Sequence, residues 1–268
     1  MKLVESFICL VICLLFVHCE GAQIKSNLGG RHSQFDTEKQ SWSNPYITDG
    51  LVAMWDGEWN AGGGISDDEL RCVEITGNTG DVIFLGDVEK LKNGFYLNKK
   101  RLSSGFGYGL SNLLRNEDVE NSSTVQMCVE FPNKYNNWEG IFRYNVADIG
   151  VNAGFNWYYH KNGGARSARN QGFSFSVGQK VVNTVMFTVG QDRPRCFIND
   201  YESGSVDVNG PYHTNTYNKV LVGVGYDSDV SKWKPCCMVM YSIRVYNRVL
   251  SEEEIQFNYM IDRERFGL

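Results

Sequence analysis

The densest mixture of aromatic, amide and charged side chains lies between residues 155 and 169, where the sequence reads FNWYYHKNGGARSAR. Aromatic rings can stack on the apolar face of a ligand, while neighbouring amides and charges hold its hydroxyls. A further tryptophan stands in the polar stretch NKYNNWEG and is a candidate for exposure. The candidate ligand-binding residues are Trp138, Trp157, Tyr159, His160, Arg166 and Arg169. The alternative is that alternate rings of a strand simply fill the core.

Residue patterns that could carry catalysis are scarce. A retaining glycosidase needs two carboxylates about 5 Å apart, which on one strand means the same-face spacing Glu-x-Asp-x-Glu. The cluster of Glu117, Asp118 and Glu120 has the wrong spacing, and the sequence contains no G-x-S-x-G, H-E-x-x-H or P-loop motif. The glycine-rich GFGYG at 105–109 lacks a phosphate-binding lysine and predicts a loop or bulge. We therefore expect a protein without enzymatic activity.

Composition excludes one class of partner and favours one class of fold. The 268 residues carry 26 Lys+Arg against 31 Asp+Glu, a net charge of −5, so the chain lacks the basic footprint of a nucleic-acid-binding protein. The 28 glycines, 14 tyrosines and 15 phenylalanines are typical of short strands joined by tight turns. A helical bundle is accordingly disfavoured.

The amino-terminal residues have the layout of an export signal. A basic start at Met1-Lys2 precedes an apolar run at 7–17, about half the ~20 residues that span a bilayer. We predict a signal peptide over 1–21, a polar linker over 22–45, one domain over 46–268, and a secreted or cell-surface location without an integral membrane segment in the mature chain. A lipid anchor on Cys19 is the alternative, although His18 is bulky for such a signal.

Cysteine usage gives a weaker prediction. Five cysteines lie beyond the signal, and an odd number cannot pair completely within one chain. They are Cys72, Cys128, Cys196, Cys236 and Cys237. We expect mainly buried thiols, and whether one or two disulfides form among them stays open.

Hydrophobic periodicity predicts an antiparallel β-sandwich. Apolar residues alternate with others, or form short β-branched runs, at intervals of about ten residues separated by Gly, Asn and Asp. The predicted strands include 51–55, 125–131, 181–189, 195–198 and 220–224, and a last strand in which Val239, Tyr241, Ile243 and Val245 alternate.

The carboxyl-terminal residues break this period and predict a short helix. Ser251 followed by Glu254 forms a capping box, and Leu250 with Ile255 can form a hydrophobic staple. Acidic residues occupy the first turn, while Arg263 and Arg265 stand near the end, as the helix dipole favours.

The two ends of the domain resemble a known family. GLVAMWDGEWNAGGG from Gly50 and YSIRVYNRVLSEEEIQFNYMIDRERFG from Tyr241 are similar to the laminin-G-like, concanavalin A-like jelly-roll family. The resemblance implies an all-β, two-sheet antiparallel jelly-roll sandwich with a short C-terminal α-helix, in which the first and last strands are neighbours. It does not fix a function, because such folds host many unrelated sites.

The same resemblance implies a candidate cofactor. Several laminin-G-like domains hold Ca²⁺ at the sandwich rim with Asp side chains and backbone carbonyls. Asp227 and Asp229 in the loop GYDSDVSKW, and Asp56 after the first strand, are the candidate metal ligands. The alternative is that each is an ordinary turn residue, since Asp is favoured in turns.

Together these features favour a secreted or surface-tethered, non-catalytic binding module for a carbohydrate or an extracellular protein. A structural or adhesion domain without a small ligand is one alternative. An exported glycoside hydrolase is the less favoured one. The sequence leaves the oligomeric state open.

Overall fold

The computed structural model describes the following residues, all within Asn44–Leu268: 44–58, 70–98, 107–112, 114, 119, 122–133, 139–144, 147–152, 156–161, 164–167, 176–188, 195–205, 219–225 and 234–268. The predicted signal peptide, the lipid site at Cys19 and nearly all of the predicted linker lie outside these residues and stay predictions. Among the described residues, no helix combines the length and apolar character needed to cross a membrane.

Sheet A contains eight of the described strands, all paired antiparallel. Its spatial order is β14 (Tyr201–Ser205), β13 (Arg195–Ile198), β12 (Lys180–Thr188), β7 (Ser122–Glu130), β18 (Met238–Tyr246), β5 (Phe95–Leu97) and β4 (Val88–Lys90), and β1 (Leu51–Asp56) pairs with the second half of β18. Trp55 of β1 lies opposite Ile243 of β18. The first and last strands are therefore neighbours, as the family resemblance implies.

Sheet B contains a second set of eight antiparallel strands. Its order is β11 (Gly164–Ser167), β10 (Asn156–Lys161), β9 (Ala147–Asn152), β8 (Glu139–Tyr144), β15 (Val220–Val222), β6 (Tyr108–Ser111), β3 (Val82–Leu85) and β2 (Arg71–Cys72). A short separate pair joins β16 (Val224–Gly225) to β17 (Lys234–Pro235). The predicted all-β sandwich of two antiparallel sheets is confirmed.

The two sheets enclose one hydrophobic core. Trp55 of sheet A contacts Phe142 of sheet B with ring centroids 6.1 Å apart, and Phe84 of sheet B stacks on Phe95 of sheet A at 4.4 Å. All four rings are buried. Aromatic pairs at these distances add to the stability gained from the apolar area they bury. The abundance of aromatic residues is thus partly explained by contacts between the sheets.

The predicted C-terminal helix, α1, is present and runs over Glu252–Phe266. The capping box predicted at its amino-terminal end is confirmed. The Ser251 side chain accepts from the Glu254 backbone N–H, and the Glu254 side chain accepts from the Ser251 backbone N–H. Gly267 ends the helix with φ 69°, in the left-handed region that glycine adopts at little cost. Leu250 and Ile255 are buried in the same apolar cluster, so the staple is formed.

Strand β18 differs from the simple alternation expected for it. A β-bulge lies between Met240 and Ser242, so the side of the sheet on which successive residues lie switches there. Val239 and Tyr241 pack with Phe266 of α1, whereas Ile243 and Val245 lie in the core between the sheets. The predicted strand is present, but these four alternating residues do not share one face, because one extra residue interrupts the period.

Helix α1 covers the outer face of sheet A, and the contact is unusually polar. Both Nη atoms of Arg244 donate to the Asp262 carboxylate, one of them at 2.8 Å, and both side chains are fully buried. The hydroxyl of Tyr46 donates to the same carboxylate at 2.6 Å. Asn258 of α1 donates to the side-chain oxygen of Gln126 at 2.6 Å. With the core between the sheets on its other face, all nine residues of β18 are buried.

The five described cysteines are all buried and none forms a disulfide. Burial raises the pKa of the Cys72 and Cys128 thiols well above its ordinary value, which keeps these thiols protonated. The expectation of buried thiols is confirmed, and the question of bridges is answered for these five residues.

One core position holds a polar side chain without a described partner. Asn183 of β12 is fully buried and lies opposite Met127 and Ile198, both of which belong to the core between the sheets. Neither its amide nitrogen nor its amide oxygen has a hydrogen-bond partner among the described residues. A buried amide in this state costs free energy because it has left water without compensation.

We expect Asn183→Leu to raise the free energy of unfolding by about 1–2 kcal/mol, because it removes the uncompensated amide from the core. Urea denaturation followed by tryptophan fluorescence measures the change. The matched control is Thr184→Val on the opposite face, where Thr184 accepts from Gln126 at 3.0 Å. That substitution should destabilise the protein. A loss of stability in Asn183→Leu would contradict the assignment.

Candidate functional site

The outer face of sheet B differs from that of sheet A because it presents apolar side chains to solvent. Along β3, Val82 and Phe84 point into the core, so the alternating residues belong to the outer face. Ile83 and Leu85 are 41% and 40% exposed. Two large aliphatic side chains exposed on one face of a strand mark a surface that can bind a ligand or partner.

Strand register extends this face into a row that crosses the whole sheet. Residues directly opposite one another in antiparallel strands share a face. The successive partners are Arg71, Ile83, Leu110, Leu221, Arg143, Asp148, His160 and Ala165, here called the outer row. Three apolar residues of the row occupy β3, β6 and β15, and ionisable residues occupy three consecutive strands from β8 to β10.

The exposed part of the outer face is an apolar patch that overlaps one end of this row. Tyr108 lies opposite Leu85, and Leu110 lies opposite Ile83. Both β6 residues are half-buried. We call Ile83, Leu85, Tyr108 and Leu110 the apolar patch. It combines aliphatic side chains with one phenol ring, which suits contact with the C–H face of a sugar or with an apolar side chain.

The middle of the outer row, between the apolar patch and Asp148, is buried. Leu221 is 4% exposed and Arg143 is 1% exposed. Arg143 lies at the register position next to Asp148 of β9, and Asp148 lies next to His160 of β10. Three residues with ionisable side chains thus occupy adjacent register positions in three strands that follow one another in the sequence.

The predicted aromatic cluster is only partly placed by the structure. Trp157, Tyr159 and His160 lie in β10, and Arg166 lies in β11 directly opposite Tyr159. The prediction that these residues are close in space is therefore supported at the level of register. Their roles in binding stay predictions. Trp138 and Arg169 lie outside the described residues.

The register also separates Tyr159 from His160. Tyr159 continues a row whose other members are Ile149, Phe142, Val222, Gly109 and Phe84. The four with a side chain are buried in the core, and a Cβ on Gly109 would lie 2.5 Å from the Val82 side chain. This row favours the core-filling alternative for position 159. His160, in contrast, occupies the outer row.

Asp56, one of the candidate calcium ligands, does not suit a metal ion in this structure. Its carboxylate is fully buried and accepts from both Nη atoms of Arg265 at 2.7 and 2.9 Å, and from the Glu58 backbone N–H at 3.1 Å. A cation would have to displace the guanidinium. Among the described residues there is no group of three or more metal-ligating side chains. Asp227 and Asp229 lie outside them, so calcium binding there stays a prediction.

Sequence reasoning did not identify the apolar patch or Arg143. The alternation in VIFL at 82–85 does indicate a strand, but a strand pattern alone does not say which face is covered. Arg143 stands in an otherwise ordinary hydrophobic strand, and its neighbours in the outer row come from β9 and β15. The apolar part of the row is revealed only by strand register, because β15 pairs with strands that lie far from it in the sequence.

Comparison with known proteins supports the fold. No protein-family model and no curated protein matches the sequence. Among solved structures, a Trypanosoma rangeli sialidase in complex with 2,3-difluorosialic acid matches with a TM-score of 0.57 and 13% identity, over 78% of this chain and 33% of the sialidase. A botulinum neurotoxin type C structure, concerned with the interaction of the toxin with two ganglioside molecules, matches with a TM-score of 0.58 and 11% identity.

A third match is the binding domain of botulinum neurotoxin DC in complex with rat synaptotagmin II, with a TM-score of 0.58 and 10% identity. Each toxin match covers 79% of this chain and 51% of the toxin chain. The chain therefore spans between a third and about half of the structures it resembles. At these identities the similarity is one of fold: a β-sandwich of the kind found in sialidase and neurotoxin binding-domain structures.

Proposed function

We propose that this protein is a non-catalytic carbohydrate-binding module that holds its ligand on the outer face of sheet B. The observation that carries the proposal is the apolar patch, exposed at Ile83 and Leu85, on the same face of sheet B as the ionisable positions of the outer row. Sugars present the same combination, because their C–H faces are apolar and their hydroxyls form hydrogen bonds. On sheet A, in contrast, α1 packs over the outer face of the described central strands.

The structural comparisons are consistent with this choice of ligand. The sialidase is in complex with a sialic acid derivative, and the botulinum neurotoxin type C structure concerns gangliosides. Both support carbohydrate as the ligand class, although the fold similarity alone does not transfer a site. Export to the cell surface or the medium, which we also propose, would place the domain where such glycans occur.

Three of the described carboxylates have structural roles, which supports binding without catalysis. Asp56 is held by the partly buried guanidinium of Arg265 and Asp262 by the buried guanidinium of Arg244, and Glu74 accepts from backbone donors of its own loop and of β1. A glycosidase needs a pair of carboxyl groups free to protonate the leaving group and to attack or activate water. These three are committed to holding the fold together.

Glycan-array screening of the whole protein, followed by calorimetry with and without Ca²⁺, tests the proposal. We expect Ile83→Gln/Leu85→Gln to weaken binding about tenfold or more, because the apolar contact is removed while the strand is kept. A matched control, Phe257→Gln/Met260→Gln, changes a similarly exposed apolar pair on α1 and should leave glycan binding unchanged.

Two results would contradict this function. Wild-type protein that binds no glycan under either condition would remove its basis, and equal binding by the Ile83/Leu85 variant would place the site elsewhere. Cleavage of a polysaccharide by purified protein would favour a glycoside hydrolase. A protein partner is the second candidate, supported by the neurotoxin match that is in complex with synaptotagmin. This second candidate function predicts that the protein captures an extracellular protein partner when no glycan is present.

A further inference from the structure

Helix α1 carries polar and apolar residues on both its buried and its exposed side. Two of its four buried residues are polar, Asn258 and Asp262. On its solvent side, Phe257 is 50% exposed and Met260 is 43% exposed. A surface helix normally buries its apolar stripe and exposes its polar one. Packing on sheet A therefore does not explain why Phe257 and Met260 are apolar.

The two exposed apolar residues are part of a longer stripe. Glu253, Phe257, Met260 and Glu264 follow one another at intervals of four, three and four residues, which places them along one side of the helix. All four are exposed. We call them the acidic–apolar stripe. Its spacing is that of a helical seam that meets another helix.

The attachment of α1 to the sandwich leaves this stripe free. The opposite side of the helix is held by Asn258 and Asp262, through their bonds to Gln126 and Arg244. Its amino-terminal end is held by Arg248, which donates to both oxygens of Glu254 at 2.7 and 2.6 Å. These bonds hold the helix in a fixed orientation. The stripe is therefore a pre-formed surface, and binding to it would cost little conformational entropy.

We propose that the acidic–apolar stripe is a docking site for a basic amphipathic helix of another protein. The centre, Phe257 and Met260, would receive the apolar residues of the partner helix, and Glu253 and Glu264 would pair with its Lys or Arg residues. This surface is distinct from the glycan face, which lies on the other sheet. One domain would thus join a glycan to a protein partner.

Charge argues against a second copy of this chain as the occupant. Whether two stripes met parallel or antiparallel, each would bring Glu253 and Glu264 against the same acidic residues of its copy. Like charges in contact disfavour association. Arg263 is exposed on the helix but lies off the stripe, on the flank nearer Tyr259. The stripe itself offers only carboxylates to its partner.

The proposal is tested with a synthetic peptide helix of about five turns, with Leu at the a and d positions and Lys at the e and g positions. Its binding to the full protein is measured by fluorescence anisotropy at low and at physiological salt. We expect wild-type protein to bind, and Phe257→Gln/Met260→Gln to bind about tenfold more weakly or worse. Glu253→Gln/Glu264→Gln should weaken binding about threefold and reduce its salt dependence.

The controls separate this proposal from general attraction and from glycan binding. A peptide with the same lysines but Ser in place of Leu should not bind. Ile83→Gln/Leu85→Gln should bind the Leu/Lys peptide as well as wild type does. Equal binding by the Phe257/Met260 variant would overturn the proposal, as would no binding by wild-type protein. Self-association that Phe257→Gln/Met260→Gln abolishes would instead assign the stripe to a second copy.

Discussion

Asp262→Ala is expected to lower the free energy of unfolding by about 3–5 kcal/mol, the largest effect of any single polar substitution considered. The carboxylate faces the guanidinium of Arg244, and both side chains are fully buried. Burial is the largest single influence and lowers the pKa of Arg244, but the charge and hydrogen bonds of Asp262, together with Tyr46 and Tyr246, raise that pKa well above its ordinary value. Without Asp262, a full positive charge would remain buried without its counter-ion.

The measurement is urea unfolding of the single and double variants, analysed as a double-mutant cycle. Arg244→Met/Asp262→Leu should recover most of the lost stability, because well-packed apolar residues commonly replace a buried ion pair without loss. Tyr46 would lose one partner in both Asp262 variants and keep the other, Arg265, whose Nη1 lies 2.7 Å from its hydroxyl. A loss of less than about 1 kcal/mol in Asp262→Ala would show that water reaches Arg244.

Glu74→Ala is expected to cost about 2–4 kcal/mol, because one carboxylate satisfies several backbone donors. Oε1 accepts from the backbone N–H of Met54 at 2.8 Å and of Thr76 at 3.0 Å, and Oε2 accepts from Gly77 at 2.6 Å and Asn78 at 3.2 Å. The Met54 amide belongs to the fully buried part of β1. Its N–H would be left without an acceptor.

Denaturant unfolding gives the size of this effect, and hydrogen exchange locates it. The amides of Met54 and of the turn at 76–78 should lose protection before the rest of β1. Glu74→Gln is the matched control, since it keeps one acceptor oxygen and should lose about half as much stability. If Glu74→Ala were as stable as wild type, water would have to replace the carboxylate at every donor, which the 7% exposure of Glu74 argues against.

Features that depend on neighbouring residues could be predicted from the sequence. The capping box at Ser251 and Glu254 is readable because its partners stand three residues apart, and it is present as expected. Strands such as β7 and β12 were recognisable from β-branched and alternating residues. The pairing of β1 with β18 followed from the family resemblance and is also present.

Features that depend on distant residues could not be predicted in this way. The bulge in β18 adds one residue without any local signature, so the alternation indicated the wrong face for Val239 and Tyr241. Strand β6 begins inside the glycine-rich segment that predicted a loop or bulge. Gly109 is required there because the Val82 side chain occupies the space beside it.

The candidate site likewise combines features that neighbouring residues predict with features that depend on distant residues. Local composition drew attention to Trp157 and Tyr159, and the register places Tyr159 in the row that continues into the core. The outer row instead depends on how eight separate segments align. Asp56 was a candidate calcium ligand because it follows a strand, but its partner Arg265 is 209 residues away. No spacing rule connects two residues at that separation.

The anchoring of the first described residues on α1 has a mechanical consequence. Tyr46 and Ile47 are fastened to the helix by bonds to Asp262 and Asn258, and Gly50 accepts from the Asn247 backbone at the end of β18. Tension applied along the chain that precedes Asn44 would enter the domain at these contacts and be borne by α1, β1 and β18. A ligand held on the outer row would pull from sheet B, so the core between the two sheets would carry the force from the preceding chain to the ligand.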